Sequence, residues 1–134
     1  MQTKPHLHCA CGSVTEYDAC CGRFHSGLEI PVKAEALMRS RYSAYVLVLG
    51  DYLLATWHAS TRPAVLDFSD ANKTRWLGLE IKRHTVMDAN RAQVEFVARY
   101  KIDGSPAVRL QEVSDFIFED GRWFYVSGVF PGGG

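Results

Sequence analysis

An α+β fold is predicted by the order in which the periodicity of apolar residues changes along the chain. Between residue 33 and about residue 60, apolar side chains recur at spacings of three and four. From residue 74 onward they alternate with polar ones, and turn signals separate the alternating runs. Ahead of both lies a polar stretch rich in Cys, Gly and His that has no sustained period. Two parts are therefore expected: a small N-terminal unit over residues 1–30 and an α+β domain over residues 31–134, built of helices on an antiparallel four-stranded sheet.

The elements follow in order. In VKAEALMRSRYSAYVLVLG, residues 32–50, the positions Ala34, Met38, Tyr42, Tyr45 and Leu49 form one helical stripe. Glu35 and Arg39 stand four apart on the outer side, a spacing that supports an ion pair. Gly50 is the expected stop of this helix, and Asp51 the expected cap of a second helix over residues 51–60. Pro63 is expected to open a short third turn ending at Phe68. Strands are expected at residues 74–88, 92–102, 107–119 and 122–130. In the second, Val94, Phe96, Ala98 and Tyr100 share one face, and Glu95, Val97 and Arg99 the other. Short polar links fall at Asp88–Asn90, Asp103–Pro106 and Asp120-Gly121, the last a strong two-residue hairpin signal. The terminal PGGG reads as a frayed end. One sheet face should pack on the helices, and a twisted sheet that curls leaves a concave cavity beneath them.

Composition narrows the function. At 47% apolar and 12% aromatic, the chain has enough to bury a core. Fifteen basic residues balance fifteen acidic ones, so no broad attraction to nucleic acid or membrane is expected, although a local basic patch is compatible with that balance. No apolar run reaches the ~20 residues of a membrane span. The segment MQTKPHLHCACGS lacks the apolar core of a signal peptide, which predicts a cytoplasmic protein.

All four cysteines, Cys9, Cys11, Cys20 and Cys21, lie in HCACGSVTEYDACCGRFHSG, residues 8–27. In a reducing compartment this crowding favours metal or redox chemistry over disulfides, and a bridge between adjacent cysteines would be strained. Four thiolates suit the tetrahedral preference of Zn²⁺, and an all-protein ligand set makes a closed structural site rather than an open catalytic one. Iron fits the same donors. His8 and His25 are alternative ligands. Four thiolates on one divalent ion leave a net charge of about −2, which Lys4, Arg23 or protonated histidines nearby would offset. Little apolar surface is available to this segment, so its folding should be coupled to metal binding.

CACGS, the tyrosine after it and CCG resemble the SEC-C motif, a small zinc-binding module at the C-terminus of the SecA translocation motor and in many other bacterial proteins. The resemblance assigns the metal to Cys9, Cys11, Cys20 and, at a position that accepts His or Cys, Cys21. ALMRSRYSAYVLVLGDYLLATWH, WLGLEI, VEFVARY and GRWFYVSG are similar to the YchJ-like family of bacterial proteins, whose name implies no activity. That resemblance covers nearly the whole chain and implies a nuclear-transport-factor-2-like (NTF2-like) fold, a cone of helices against a curved antiparallel sheet. Some members carry a second SEC-C motif at the C-terminus, which this sequence does not show.

Two functions from different classes follow. The first is an interaction module: in its best-known host the SEC-C motif contacts a chaperone and the ribosome, so a protein or ribonucleoprotein partner is implied. The second is a small-molecule or hydrolase/isomerase-like pocket in the cone. Tyr42, Tyr45, Trp57, His58, Glu112, Trp123 and Tyr125 are its candidate lining. Glu112 and His58 are the candidate acid–base groups. For Glu112, which shares a strand face with Val108, Leu110, Ser114 and Phe116, an ion pair to Arg41 or Arg99 is the simpler expectation. For His58 it is a hydrogen-bonded structural role. His84, beside Lys82 and Arg83, reads as part of a solvated face. No phosphate loop, His-Glu-x-x-His or Gly-x-Ser-x-Gly motif is present.

Overall fold

The structure is a computed structural model. It describes residues 8–13 and 15–130; Lys4 and the terminal PGGG lie outside them. The N-terminal segment forms a single 3₁₀ turn, Tyr17–Ala19, and a short helix α1, Cys21–His25. Helices α2 (Ala34–Leu47) and α3 (Gly50–Ala55) follow. The rest is one antiparallel sheet of β1 (Thr74–Asp88), β2 (Arg91–Ile102), β3 (Val108–Glu119) and β4 (Arg122–Val129), in the order β1-β2-β3-β4.

The sheet is a meander because its links carry the right turn chemistry. Asp120 (φ 53°) and Gly121 (φ 83°) both take left-handed backbone, the requirement of the tight hairpin between β3 and β4. The Asp88 carboxylate accepts the Asn90 N–H at 2.8 Å and closes the β1–β2 turn. Curvature comes from β1, whose register against β2 shifts at Trp76/Gly78, Ile81/Arg83 and Val86/Asp88. Each shift adds a residue, bends the strand and increases its twist.

The middle shift corrects the expectation for His84. Ile81 pairs with Phe96 and His84 with Val94, so the extra residue at Lys82 returns both side chains to the core side. His84 therefore does not lie on a solvated face. Its Nδ1 is 3.9 Å from Glu35, and its Nε2 is buried without a hydrogen-bond partner among the described residues.

Helix α2 lies across the concave side. Ala34, Leu37, Met38, Tyr42 and Ala44 are buried, and the expected Glu35–Arg39 pair is present at 3.2 Å. Ser40, Arg41 and Ser43 are also buried, so the buried surface is wider than the expected stripe. The helix ends earlier than Gly50. Val48 takes φ 60° as its left-handed cap, with the Leu49 N–H on the Ala44 carbonyl at 2.8 Å. Gly50 instead opens α3, with Leu49 as cap and no side-chain cap from Asp51. Helix α3 stops at Ala55 because residues 56–58 turn to the free edge of β4. The Tyr125 N–H donates to the Thr56 carbonyl, and the His58 N–H to the Tyr125 carbonyl. This covers an otherwise open sheet edge. No helical turn forms between Pro63 and Phe68; a 3₁₀ turn occurs later, at Ala71–Lys73.

Candidate metal centre and cone cavity

The cysteine sulfurs come together from two short pieces of chain. Cys9 and Cys11 sit in a turn closed by the Gly12 N–H on the Cys9 carbonyl, and the Cys9 N–H reaches back to the Thr15 carbonyl at 2.8 Å. Cys20 ends the 3₁₀ turn and Cys21 begins α1, so a sharp change of backbone direction aims adjacent side chains at one point. All four sulfurs lie within 4.8 Å of one another. Cys11 Sγ and Cys20 Sγ are 3.7 Å apart. A tetrahedron of thiolates with metal–sulfur bonds of about 2.3 Å has edges of about 3.8 Å. The cluster is therefore sized to hold a metal ion.

Its electrostatics fit a cation as well. The Cys11 thiol is held at about 4, first by the hydrogen bond from Cys21 and against the opposing effect of burial. Cys21 is pushed up by that same hydrogen bond and by burial, and Cys20 by burial. Without a cation, the cluster retains protons to limit its negative charge. A divalent ion would take their place.

The surrounding residues fix the cluster to the rest of the chain. Cys9, Cys11 and Cys21 are buried in the same core as Leu37, Met38 and Leu79. Cys9 Sγ is 3.4 Å from the Ser43 hydroxyl, and Ser13 Oγ donates to Cys20 Sγ at 3.3 Å. Arg39 Nη1 donates to the Cys11 carbonyl at 2.9 Å, and Arg23 Nε to the Cys20 carbonyl at 3.0 Å. These guanidinium groups bring positive charge to the cluster through its own backbone. Gly12 is essential to this docking. Its φ is +94°, and a Cβ there would stand 2.8 Å from the Leu79 carbonyl oxygen.

His25 is engaged elsewhere. Its Nδ1 meets the Tyr17 hydroxyl at 2.6 Å and its Nε2 the Ser40 carbonyl at 2.8 Å, and burial lowers its pKa. A carbonyl only accepts, so Nε2 carries a proton, and burial disfavours the charged ring. Both ring nitrogens are engaged, so neither is free for a metal. His8 is exposed and stands outside the cluster of metal-competent side chains.

The seven candidate pocket residues do not all line one cavity; His58 and Trp123 stand apart from the rest. Tyr42, Tyr45 and Glu112 line one cavity of about 250 Å³ under α2, with Met38, Trp76 and Phe96 among its walls. Tyr125 reaches Glu112 from beside it at 3.4 Å, and burial followed by the Glu112 charge raises its hydroxyl to about 12. Glu112 also accepts from Ser114 at 2.8 Å, and its carboxylate lies over Gly128, where any Cβ would overlap it. The expected ion pair of Glu112 is not formed. Arg41 is 3% exposed and donates instead to the Leu53 carbonyl and Thr56 Oγ1, with its guanidinium over the rings of Tyr125 and Trp57. His58 stands apart, between Glu119 (2.7 Å from Nε2) and Ser60 (2.7 Å from Nδ1). Trp123 lines a separate groove with Phe24, His25 and Tyr52, and its indole N–H donates to the Val32 carbonyl at 3.3 Å.

Residues 33–128 match the family described as "YchJ, middle NTF2-like domain". The chain belongs to this YchJ-like family. It is 51% identical over 124 residues to a UPF0225 protein of Xanthomonas campestris pv. campestris, covering 92% of this chain and 95% of the relative. It is 55% identical to a UPF0225 protein of Cupriavidus metallidurans, covering 90% and 86%. The solution structure of a SEC-C motif containing protein from Rhodopseudomonas palustris superposes with a TM-score of 0.82 at 33% identity, covering 92% of this chain and 98% of that one. A crystal structure of a SEC-C motif containing protein from Psychrobacter arcticus superposes with 0.73 at 32% identity, covering 92% and 77%. The YchJ-like chain thus joins a SEC-C cysteine cluster to an NTF2-like α+β domain. No helix among its described residues is long and apolar enough to cross a membrane.

Proposed function

We propose that Cys9, Cys11, Cys20 and Cys21 hold one structural Zn²⁺, and that residues 1–30 then form a folded knuckle by which the chain docks on a protein or ribonucleoprotein partner. The NTF2-like unit, residues 31–134, is the platform that orients it. The observation that carries this reading is the composition of the cluster. It has four sulfurs, three of them on buried residues, and no carboxylate or imidazole among the described residues. Four protein ligands leave no open position for a substrate, which favours a structural role over catalysis. Zinc is preferred among soft-ligand metals because four thiolates in a closed tetrahedral set suit it.

The test is affinity capture from cell lysate with the zinc-loaded chain and with Cys20→Ser/Cys21→Ser, keeping only partners whose purified forms rebind. The native chain is expected to retain a defined partner that the variant loses, while far-ultraviolet circular dichroism shows the sheet intact. Equal capture by both forms contradicts the docking role.

One observation favours a second reading. The cavity beneath α2 combines apolar walls with a single carboxylate, the arrangement of many small-ligand sites. A ligand screen should then raise the melting temperature, and Leu110→Trp, which fills the cavity, should abolish the shift.

A further inference from the structure

A different surface of the molecule carries its own anomaly. On the outer face of the sheet, at the end where β1 and β3 begin and β2 ends, Arg75 lies directly opposite Lys101, and Arg99 directly opposite Arg109. All four are exposed. None makes an ion pair among the described residues, and the one hydrogen bond in the group runs from Arg109 to Gln111. Like charges directly opposite each other on neighbouring strands destabilise a sheet.

Elsewhere the same sheet avoids this. Arg83 faces Glu95, Lys82 pairs with Glu80 at 3.3 Å, and Arg91 pairs with Asp88 at 3.4 Å. A merely solvated face would mix its signs at this corner too. The acidic groups nearest in the register are Glu80 and Glu95, one and two rungs further along, held by Lys82 and Gln111 respectively. Asp103, in the turn after Lys101, makes no ion pair with any of the four. Gly78 stands opposite Arg99, and the space above it is open.

We propose that this corner binds the phosphodiester backbone of a nucleic acid. Three of the four cations are arginines, whose planar forks suit phosphate oxygens. Successive rungs on one face stand about 6.8 Å apart and partners across a rung about 5 Å, so the charges form a compact, regularly spaced set. The aromatic pair between these rungs, Trp76 and Tyr100, lies on the core side with ring centroids 5.4 Å apart at a tilted angle, and Trp76 packs on Tyr42. They leave no platform for bases, so the grip is on the backbone and independent of sequence. A second copy of the chain is disfavoured as occupant, since a two-fold contact would bring cation onto cation. The site is separate from the cysteine cluster and does not require the docking role proposed for it.

The test is fluorescence anisotropy with the zinc-loaded full chain and a labelled 20-nucleotide RNA of mixed sequence, with the same sequence in DNA as a second probe and polyglutamate as competitor. Saturable binding is expected at 50 mM KCl. The logarithm of affinity should fall against log salt with a slope of roughly −2.8, the release expected for four phosphates of a single strand. Arg99→Gln/Arg109→Gln should bind at least about tenfold more weakly, flatten the slope by roughly 1.4 and melt no lower than the native chain. Lys82→Gln/Arg91→Gln, which removes paired cations, should bind as the native chain does. Binding to RNA and DNA alike supports backbone recognition. Absence of saturable binding to either, native affinity in Arg99→Gln/Arg109→Gln, or displacement by polyglutamate as readily as by RNA overturns the proposal.

Discussion

Single residues decide how the cysteine cluster is held. Gly12 combines a left-handed backbone with contact against Leu79, so Gly12→Ala should cost about 2 kcal/mol and lower metal affinity, read by thermal melting and chelator competition. His25 is bonded on both nitrogens and buried, so its native pKa lies below the ordinary imidazole value. The unfolded chain therefore takes up the proton first. Stability should fall as pH drops below about 6.5 and stop falling once the native ring is also protonated. Denaturant melts of the metal-loaded protein between pH 7.5 and 5.5 should show this slope, and His25→Asn should flatten it. Of these residues, the four cysteines and the glycine after the second were legible in the sequence. Arg39, Ser43 and the Tyr17–His25–Ser40 chain were not, because each acts across 8 to 34 positions through contacts that only the fold creates.

Elements were legible where periodicity and turn chemistry agreed. The first strand is where alternation placed it, and the Asp120-Gly121 turn has the backbone its residues favour. Phase was lost at Lys82, where an added residue turned His84 inward, a change that composition does not signal. The end of α2 is not legible in the sequence, because Val48, a β-branched residue, adopts the left-handed cap in place of Gly50. At the other edge, Gly128 is coupled to Glu112 across β3 and β4. Gly128→Ala should destabilise by about 2 kcal/mol in the native background and by much less in Glu112→Ala, a coupling measurable in a double-mutant cycle. Arg41, which joins α2 to α3 through the Leu53 carbonyl, should cost about 3 kcal/mol when changed to Ala, from lost packing and hydrogen bonds together.

At the scale of the whole molecule, the cysteine segment and the sheet share one core. Cys9, Cys11 and Cys21 pack with residues of α2 and β1, and two arginines tie the cluster's backbone in place. A metal bound there would stabilise more than a short polar loop, because its loss would leave buried thiols in the centre of that packing. Chelation should accordingly lower the melting temperature of the entire chain in one transition, rather than release a loose N-terminus from a domain that melts unchanged. The sequence carried the separate natures of the two parts in its composition. It did not carry their shared interior, which depends on Gly12 lying against β1 and on Arg39 and Ser43 reaching back from α2.

The closed four-thiolate site is tested first by the metal content of the full chain, purified under reducing conditions without added metal and measured by elemental mass spectrometry alongside a thiol count. Such a site requires one zinc per chain and four thiols that react only after chelation. A chain without metal, or one whose four thiols react at once, contradicts it.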